Sequence, residues 1–453
     1  MAKISKTIDM TKGPIFRPLI MFMLPLIGGS IFQQLYNTVD FIFVGNFLDK
    51  TAAAAVGASS TLINCLIGMF SGISVGATVA AALALGRGDQ KKASKVLHSS
   101  VLFGLICGSI LMAIGIVFAP NVLRLLNTPE SVLPQAVVYM RIYLISLPML
   151  VFYNMVSGSL RAEGDSATLF NVLVICGVLN VGFDALFIVV FNLGVAGVAI
   201  ATTITQGLSA LLIGISASGK GRKVRLSFRD LSFDGESMKR VLRTGLPTGI
   251  QTIVITISNV FVQYFINDFG DTAVAAFATY YKVENLIFLA IVALGQASTT
   301  FAGQNAGAGN YKRIQKGSYI LAGFGTAVTF VTAGAILLLS TFVFRWFMKD
   351  PEVVRAAISL AMVSFPFYWI YPSIEVFGGA VRSMGYAVTC MSVTIVCMCA
   401  ARIGLLSLFS STIHTVQSLA AVYPITWALA AASFIILFHI VIRKKMNASK
   451  QMN

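Results

Sequence analysis

Gly86-Arg87-Gly88-Asp89-Gln90-Lys91 returns as Gly307-Ala308-Gly309-Asn310-Tyr311-Lys312, with its glycines and its lysine 221 residues on. Working outward from this pair, the two halves keep echoing each other at an offset of 221 or 222. Pro25 answers to Pro247, Thr51-Ala52 to Thr272-Ala273, and Asn64 to Asn285. Farther along, Pro129-Glu130 answers to Pro351-Glu352, and Arg161 with Gly164 to Arg382 with Gly385. An apolar chain duplicated in this way predicts two halves of a transporter, built from repeated helix sets.

Composition supports a membrane reading. Of 453 residues, 57% are hydrophobic and 11% charged, whereas a soluble domain carries roughly 25% charged residues. Apolar runs long enough to span a bilayer are predicted near 18–46, 52–84, 95–118, 133–158, 168–190 and 194–216. The second half repeats them near 240–267, 275–303, 317–344, 354–380, 387–410 and 419–442. The fold class expected is an all-α integral membrane protein of twelve transmembrane helices in two six-helix lobes. The lobes are expected at 1–218 and 244–453, joined by a polar linker at 219–243.

The net charge of +16 invites a nucleic-acid reading, but the positions of the charges oppose it. With the N-terminus in the cytoplasm, 25 of the 33 Lys and Arg fall in cytoplasmic segments, five in external loops and three within spans. That is the positive-inside bias, so the charge encodes orientation. A multi-pass protein of the inner (plasma) membrane with both termini cytoplasmic is expected. The polar start MAKISKTIDMTKGP lacks the pattern of a removable signal peptide. The six cysteines lie in the spans as packing residues, and no metal-ligand spacing occurs. The stretch 214–220, GISASGK, has Gly221 where a phosphate-binding loop needs Ser or Thr. No catalytic set is present, so an enzyme is not expected, and transport must draw on an ion gradient or a partner.

The acids inside the apolar runs are the informative residues. A charge at a helix centre costs about 2.5–3.5 kcal/mol, which makes a membrane carboxylate a functional candidate by default. Asp40 shares a polar stripe with Gln33 and Asn37. Asp184 lies four residues after Asn180, and Gln206 four after Thr202, so each pair shares a helix face. Two carboxylates with neutral oxygens suit a sodium ion or a shared proton. The competing reading places both acids near helix ends, in water. The repeat favours a specialised site, because Val262 stands at the offset of Asp40, and Leu405 or Leu406 at that of Asp184. The second half has Lys282, Glu284, Glu375 and Arg402 in its apolar runs. Glu284 and Glu375, with Tyr36, Tyr280 and Asn259, are candidates for a substrate cavity. Pro25 and Pro247 each remove a helix hydrogen bond and are candidate hinges.

Taken together, Pro25 with QQLYNTVDFIFVG, the GRGDQKKA loop, the LRAEGDS turn and Asn180-Val-Gly-Phe-Asp184 resemble the bacterial branch of the multidrug and toxic compound extrusion (MATE) family. The resemblance covers essentially the whole chain. It implies a V-shaped pair of lobes and a coupling-cation site of Asp40, Asn180, Asp184 and Thr202, with Asn154 nearby. It further implies export of amphipathic, cationic drugs in exchange for sodium or protons, by a monomer in contact with lipid and needing no other cofactor. Some relatives carry an acid in the first span of the second lobe; the stretch 256–259 has none. Distant members of the same superfamily flip lipid-linked oligosaccharides, which is the alternative function.

Overall fold

The structure is a computed structural model and describes residues 7–452. Lys3 and Lys6, used above in the charge count, lie outside them. Among the described residues there is no strand, and eleven helices are long and apolar enough to cross a bilayer, with a bent pair supplying a twelfth. The first six are α1 (Phe16–Phe47), α2 (Lys50–Gly86), α3 (Gln90–Leu125), α4 (Leu133–Ile145 and Leu147–Ala162), α5 (Ala167–Val190) and α6 (Gly194–Ala217). The second six are α7 (Gly235–Asn267), α8 (Asp271–Gly307), α9 (Tyr311–Leu338), α10 (Pro351–Ser383), α11 (Ala387–Thr412) and α12 (Val416–Gln451).

Two expected spans differ in detail. The run near 133–158 bends by 44° at Ser146, because Pro148 has no N–H to continue the helix ladder. The Ser146 hydroxyl instead bonds the Tyr143 carbonyl at 2.7 Å. The run near 317–344 ends at Leu338, and Ser340–Phe347 forms a separate short helix.

The repeated loops share one geometry. Gly88 and Gly309 hold φ of 78° and 74°, the left-handed conformation that a side chain resists. Each ends a helix with a 6→1 bond, Asp89 N–H to Ala84 at 3.0 Å and Asn310 N–H to Asn305 at 2.8 Å. Gly164 and Gly385, also repeat partners, do the same work at φ 82° and 98°. Asp49 and Asp89 then start α2 and α3 by accepting the Ala52 and Lys92 backbone N–H. Outward faces carry exposed apolar side chains such as Val117, Phe330, Val331 and Leu338, as a lipid-facing surface requires.

The chain divides into two units. Unit 1 contains residues 24–245 with the stretch up to Asp9, and unit 2 contains 10–23 and 246–453. The chain therefore changes unit beside Pro25 and again beside Pro247. Both prolines lie inside helices that continue past them. Unit 1 closes on small residues: a Cβ on Gly158 would sit 2.7 Å from the Ser74 carbonyl oxygen. Its repeat partner in unit 2, Gly379, leaves only 2.9 Å to the Thr299 hydroxyl.

The 219–243 segment belongs to unit 1 and is fastened to it. Arg222 pairs with Glu163 at 3.3 Å and Asp165 at 2.9 Å, both carboxylates fully buried. Val224 N–H bonds Glu163, Ser227 N–H bonds His98 at 3.0 Å, and Asp234 N–H bonds Ser99 at 2.8 Å. In unit 2 the stretch before α1 is held similarly. Met10 is buried and donates to Gln304 at 3.0 Å. The Arg313 guanidinium donates to the carbonyls of Met10, Lys12, Gly13 and Pro14. Arg313→Ala is expected to release this stretch. Limited trypsin digestion should then cut at Lys12 well before it cuts the parent, with the helical core intact.

Candidate functional site

Asp40 and Asp184 come together inside unit 1, although 144 residues separate them. The contact depends on how closely α1 approaches α5. A Cβ on Gly177 would lie 2.7 Å from the Phe32 ring and 3.1 Å from that of Tyr36. Gly177, Asn180 and Asp184 follow at spacings of three and four, so the face of α5 that admits α1 also carries the polar pair. Immediately after Asp184 the helix widens into a π-helical turn, Ala185–Val190. Such turns favour functional sites because the extra residue re-aims neighbouring side chains.

At the contact Asn180 is buried, with its amide turned so that Nδ2 donates to Asp40 Oδ1 at 3.2 Å and Oδ2 at 3.3 Å. Asp184 is fully buried. Its carboxyl lies close enough to that of Asp40 for the two to interact directly. Neither of its oxygens has a donor. Two carboxyl groups so placed need a positive charge between them, either a proton that one donates to the other or a hard cation bound by both. Tyr36 and Tyr139 lie within electrostatic reach of Asp40.

The other expected members are placed differently. Thr202 donates its hydroxyl to the Val198 carbonyl at 3.0 Å, and Asn154 donates to Leu150 at 2.9 Å, so each satisfies its own helix. Among the described residues neither hydrogen-bonds to the acids. Gln33 and Asn37 are exposed, and Gln206 is half-buried. Tyr139 and Gly177 carry no signal of their own in the sequence. Tyr139 lies in a run that reads as ordinary packing, and Gly177 acquires meaning only through α1. Gly177→Val is expected to hold α1 off by overpacking, at about 1–3 kcal/mol. It should weaken cation binding by unit 1 without removing an acid, which a binding titration beside a melting curve would show.

Unit 2 gathers a second cluster from the remaining candidates. Glu284 accepts from the Tyr368 hydroxyl and, at 3.5 Å, from Tyr280, which also bonds Ser364 at 2.8 Å. Asn259 accepts from Arg402 at 3.2 Å. Glu375 lies apart from these bonds and packs on α8, where a Cβ on Gly295 would be 2.6 Å from its carboxylate. No group of three or more His, Cys, Asp or Glu that could hold a metal ion occurs among the described residues. A separate recess of about 530 Å3 in unit 1 is lined by Phe47, Asp49, Pro134, Gln135 and Leu193 and does not include the acid pair.

A duplicated set of spanning helices, with a facing pair of acids in the first half that has no counterpart in the second, is the architecture of a membrane transporter. The family comparison agrees: the MatE family pattern matches residues 25–186 and again 247–408, so the chain belongs to the MatE family. It is 30% identical over 412 residues to the "Probable multidrug resistance protein YpnP" of Bacillus subtilis, covering 90% of this chain and 91% of that one. It is 21% identical to the "Multidrug export protein MepA" of Staphylococcus aureus, over 78% of each chain. Among solved structures, "Outward-facing conformation of a multidrug resistance MATE family transporter of the MOP superfamily" superposes with a TM-score of 0.93. That match has 23% identity and covers 98% of this chain and 100% of the other, and it establishes the fold.

Proposed function

We propose that this chain is a secondary multidrug antiporter of the plasma membrane. It exports amphipathic, cationic organic compounds by alternating access, in exchange for a sodium ion or proton taken up at Asp40, Asn180 and Asp184. The observation that carries this reading is the buried Asp184 carboxyl, without a donor and facing Asp40. Thr202 and Gln206 on α6 are reserve oxygens for the same cation. The chain acts as a monomer in lipid, with its termini in the cytoplasm and no resident cofactor. Binding of the cation shifts the preference between two states of α1, with Pro25, and Pro247 in α7, as flexible points. One charge moving inward gains about 2.3 kcal/mol per 100 mV. That sustains a drug gradient of roughly 50-fold for a neutral compound exchanged one for one; a monovalent organic cation exchanged one for one moves no net charge and draws only on the concentration gradient of the coupling ion.

The names of the relatives support drug export over the flipping of lipid-linked oligosaccharides. Drug efflux from proteoliposomes, with sodium and pH gradients imposed separately, tests the proposal. One gradient should drive uphill export, and Asp40→Asn and Asp184→Asn should each abolish it. If neither gradient moves any organic cation, the antiporter reading fails.

A further inference from the structure

Arg402 is 2% exposed in the middle of an apolar span, an expensive place for a guanidinium. No carboxylate comes within salt-bridge distance of it among the described residues; Glu284 is near enough for direct charge attraction. Its closest cushion is aromatic, with the guanidinium carbon 4.7 Å from the centre of the Tyr423 ring. Nη1 donates to Asn259 at 3.2 Å, while the buried Nε–H has no acceptor. A guanidinium placed only for stability would have its donors satisfied. The surroundings continue as one aromatic wall. Tyr423 bonds the Tyr281 hydroxyl and packs 5.8 Å from Trp427, which contacts Tyr368 at 4.6 Å, and Tyr368 bonds Glu284.

A carboxylate, a ring face and aromatic walls together make the chemistry that recognises an organic cation. We propose that this cluster is a cation-recognition site of unit 2 whose occupant is the chain's own Arg402. The tethered guanidinium fills the position that an alkylammonium or guanidinium head would take. It thereby closes unit 2 to such heads. Arg402 acts here as a specificity-determining residue. The proposal stands apart from the antiport reading, since it concerns binding in unit 2 and is read without transport.

Trp427 is a built-in reporter. In a Trp346→Phe, Trp369→Phe background, its emission would be followed while ethylguanidinium or tetramethylammonium chloride is titrated, with sodium chloride as ionic-strength control. The parent should show no saturable change. Arg402→Ala should respond saturably to ethylguanidinium, with a midpoint about tenfold or more below the highest concentration at which the parent stays unchanged. Glu284→Gln added to Arg402→Ala should weaken that response, and Arg402→Lys, which keeps a tethered cation, should remain silent. If Arg402→Ala folds poorly, ethylguanidinium supplied during purification should restore its yield and its melting transition. A saturable response of the parent would overturn the proposal. So would an Arg402→Ala protein that ethylguanidinium neither binds nor rescues.

Discussion

Replacing Asp184 with Asn is expected to weaken coupling-cation binding by about three orders of magnitude. The substitution keeps size and shape but removes one of the two charges that a cation would meet. At about 4 Å and an effective dielectric near 20, one ion–ion contact is worth about 4 kcal/mol, and each decade of affinity corresponds to about 1.4 kcal/mol. Asp184 also has no donor to lose, so the change strands no partner. The melting temperature should stay level or rise, because a buried charge disappears. A cation titration alongside a thermal melt separates the effects. Lost binding with preserved stability fits a functional acid; lost stability with preserved binding would mark a structural one.

The largest expected loss of stability lies elsewhere, in Arg222→Ala. Its guanidinium bridges Glu163 and Asp165, both about 1% exposed. Removing one partner from a buried ion cluster costs about 3–5 kcal/mol, because the remaining charges stay buried without compensation. Asp165 keeps Thr168, whose N–H and hydroxyl donate at 3.0 and 2.7 Å. Glu163 is left with the Val224 N–H. Burial already pushes the Glu163 carboxyl above the usual carboxylate range, against the pull of Val224 and Arg222.

The sign of the pH effect follows. A carboxyl raised by folding contributes stability below its unfolded value and loses it as pH climbs through its folded value. Taking away Arg222 removes a group that pulls this carboxyl down, so it rises further. The variant should recover part of its lost melting temperature on acidification, more steeply than the parent. Glu163→Gln in the same background should flatten that recovery. A variant whose melting temperature is insensitive to both acid and Glu163→Gln would contradict the assignment.

Much of this molecule was legible in one dimension, and the reasons are physical. Spanning helices announce themselves because the bilayer fixes their length and composition. The duplication was readable because Gly88 and Gly309 each need a left-handed backbone, so the same residue type recurs at the same offset. Asp40 and Asp184 stood out because a carboxylate in an apolar run is costly. What stayed hidden depends on residues far apart in the chain. Gly177 is one small residue among many until Phe32 is seen against it. The π-helical turn after Asp184 has no sequence signal, since every residue from Ala185 to Val190 suits an ordinary helix. Arg222 sits in a stretch that reads as a polar linker, and its acids belong to a turn 59 and 57 residues earlier. Arg402 meets Asn259 across 143 residues, so its setting could not be read from its own span.

If the Asp40–Asp184 pair carries the cation whose entry drives export, cation entry and drug exit are bound to each other. Simultaneous measurement of both fluxes in one proteoliposome preparation tests it most directly. Sodium or proton entry and drug exit should proceed in a fixed ratio, and Asp184→Asn should lose the cation flux and uphill export together. Drug leaving the parent uphill without cation entry, or an Asp184→Asn protein that keeps the ratio, would contradict the account.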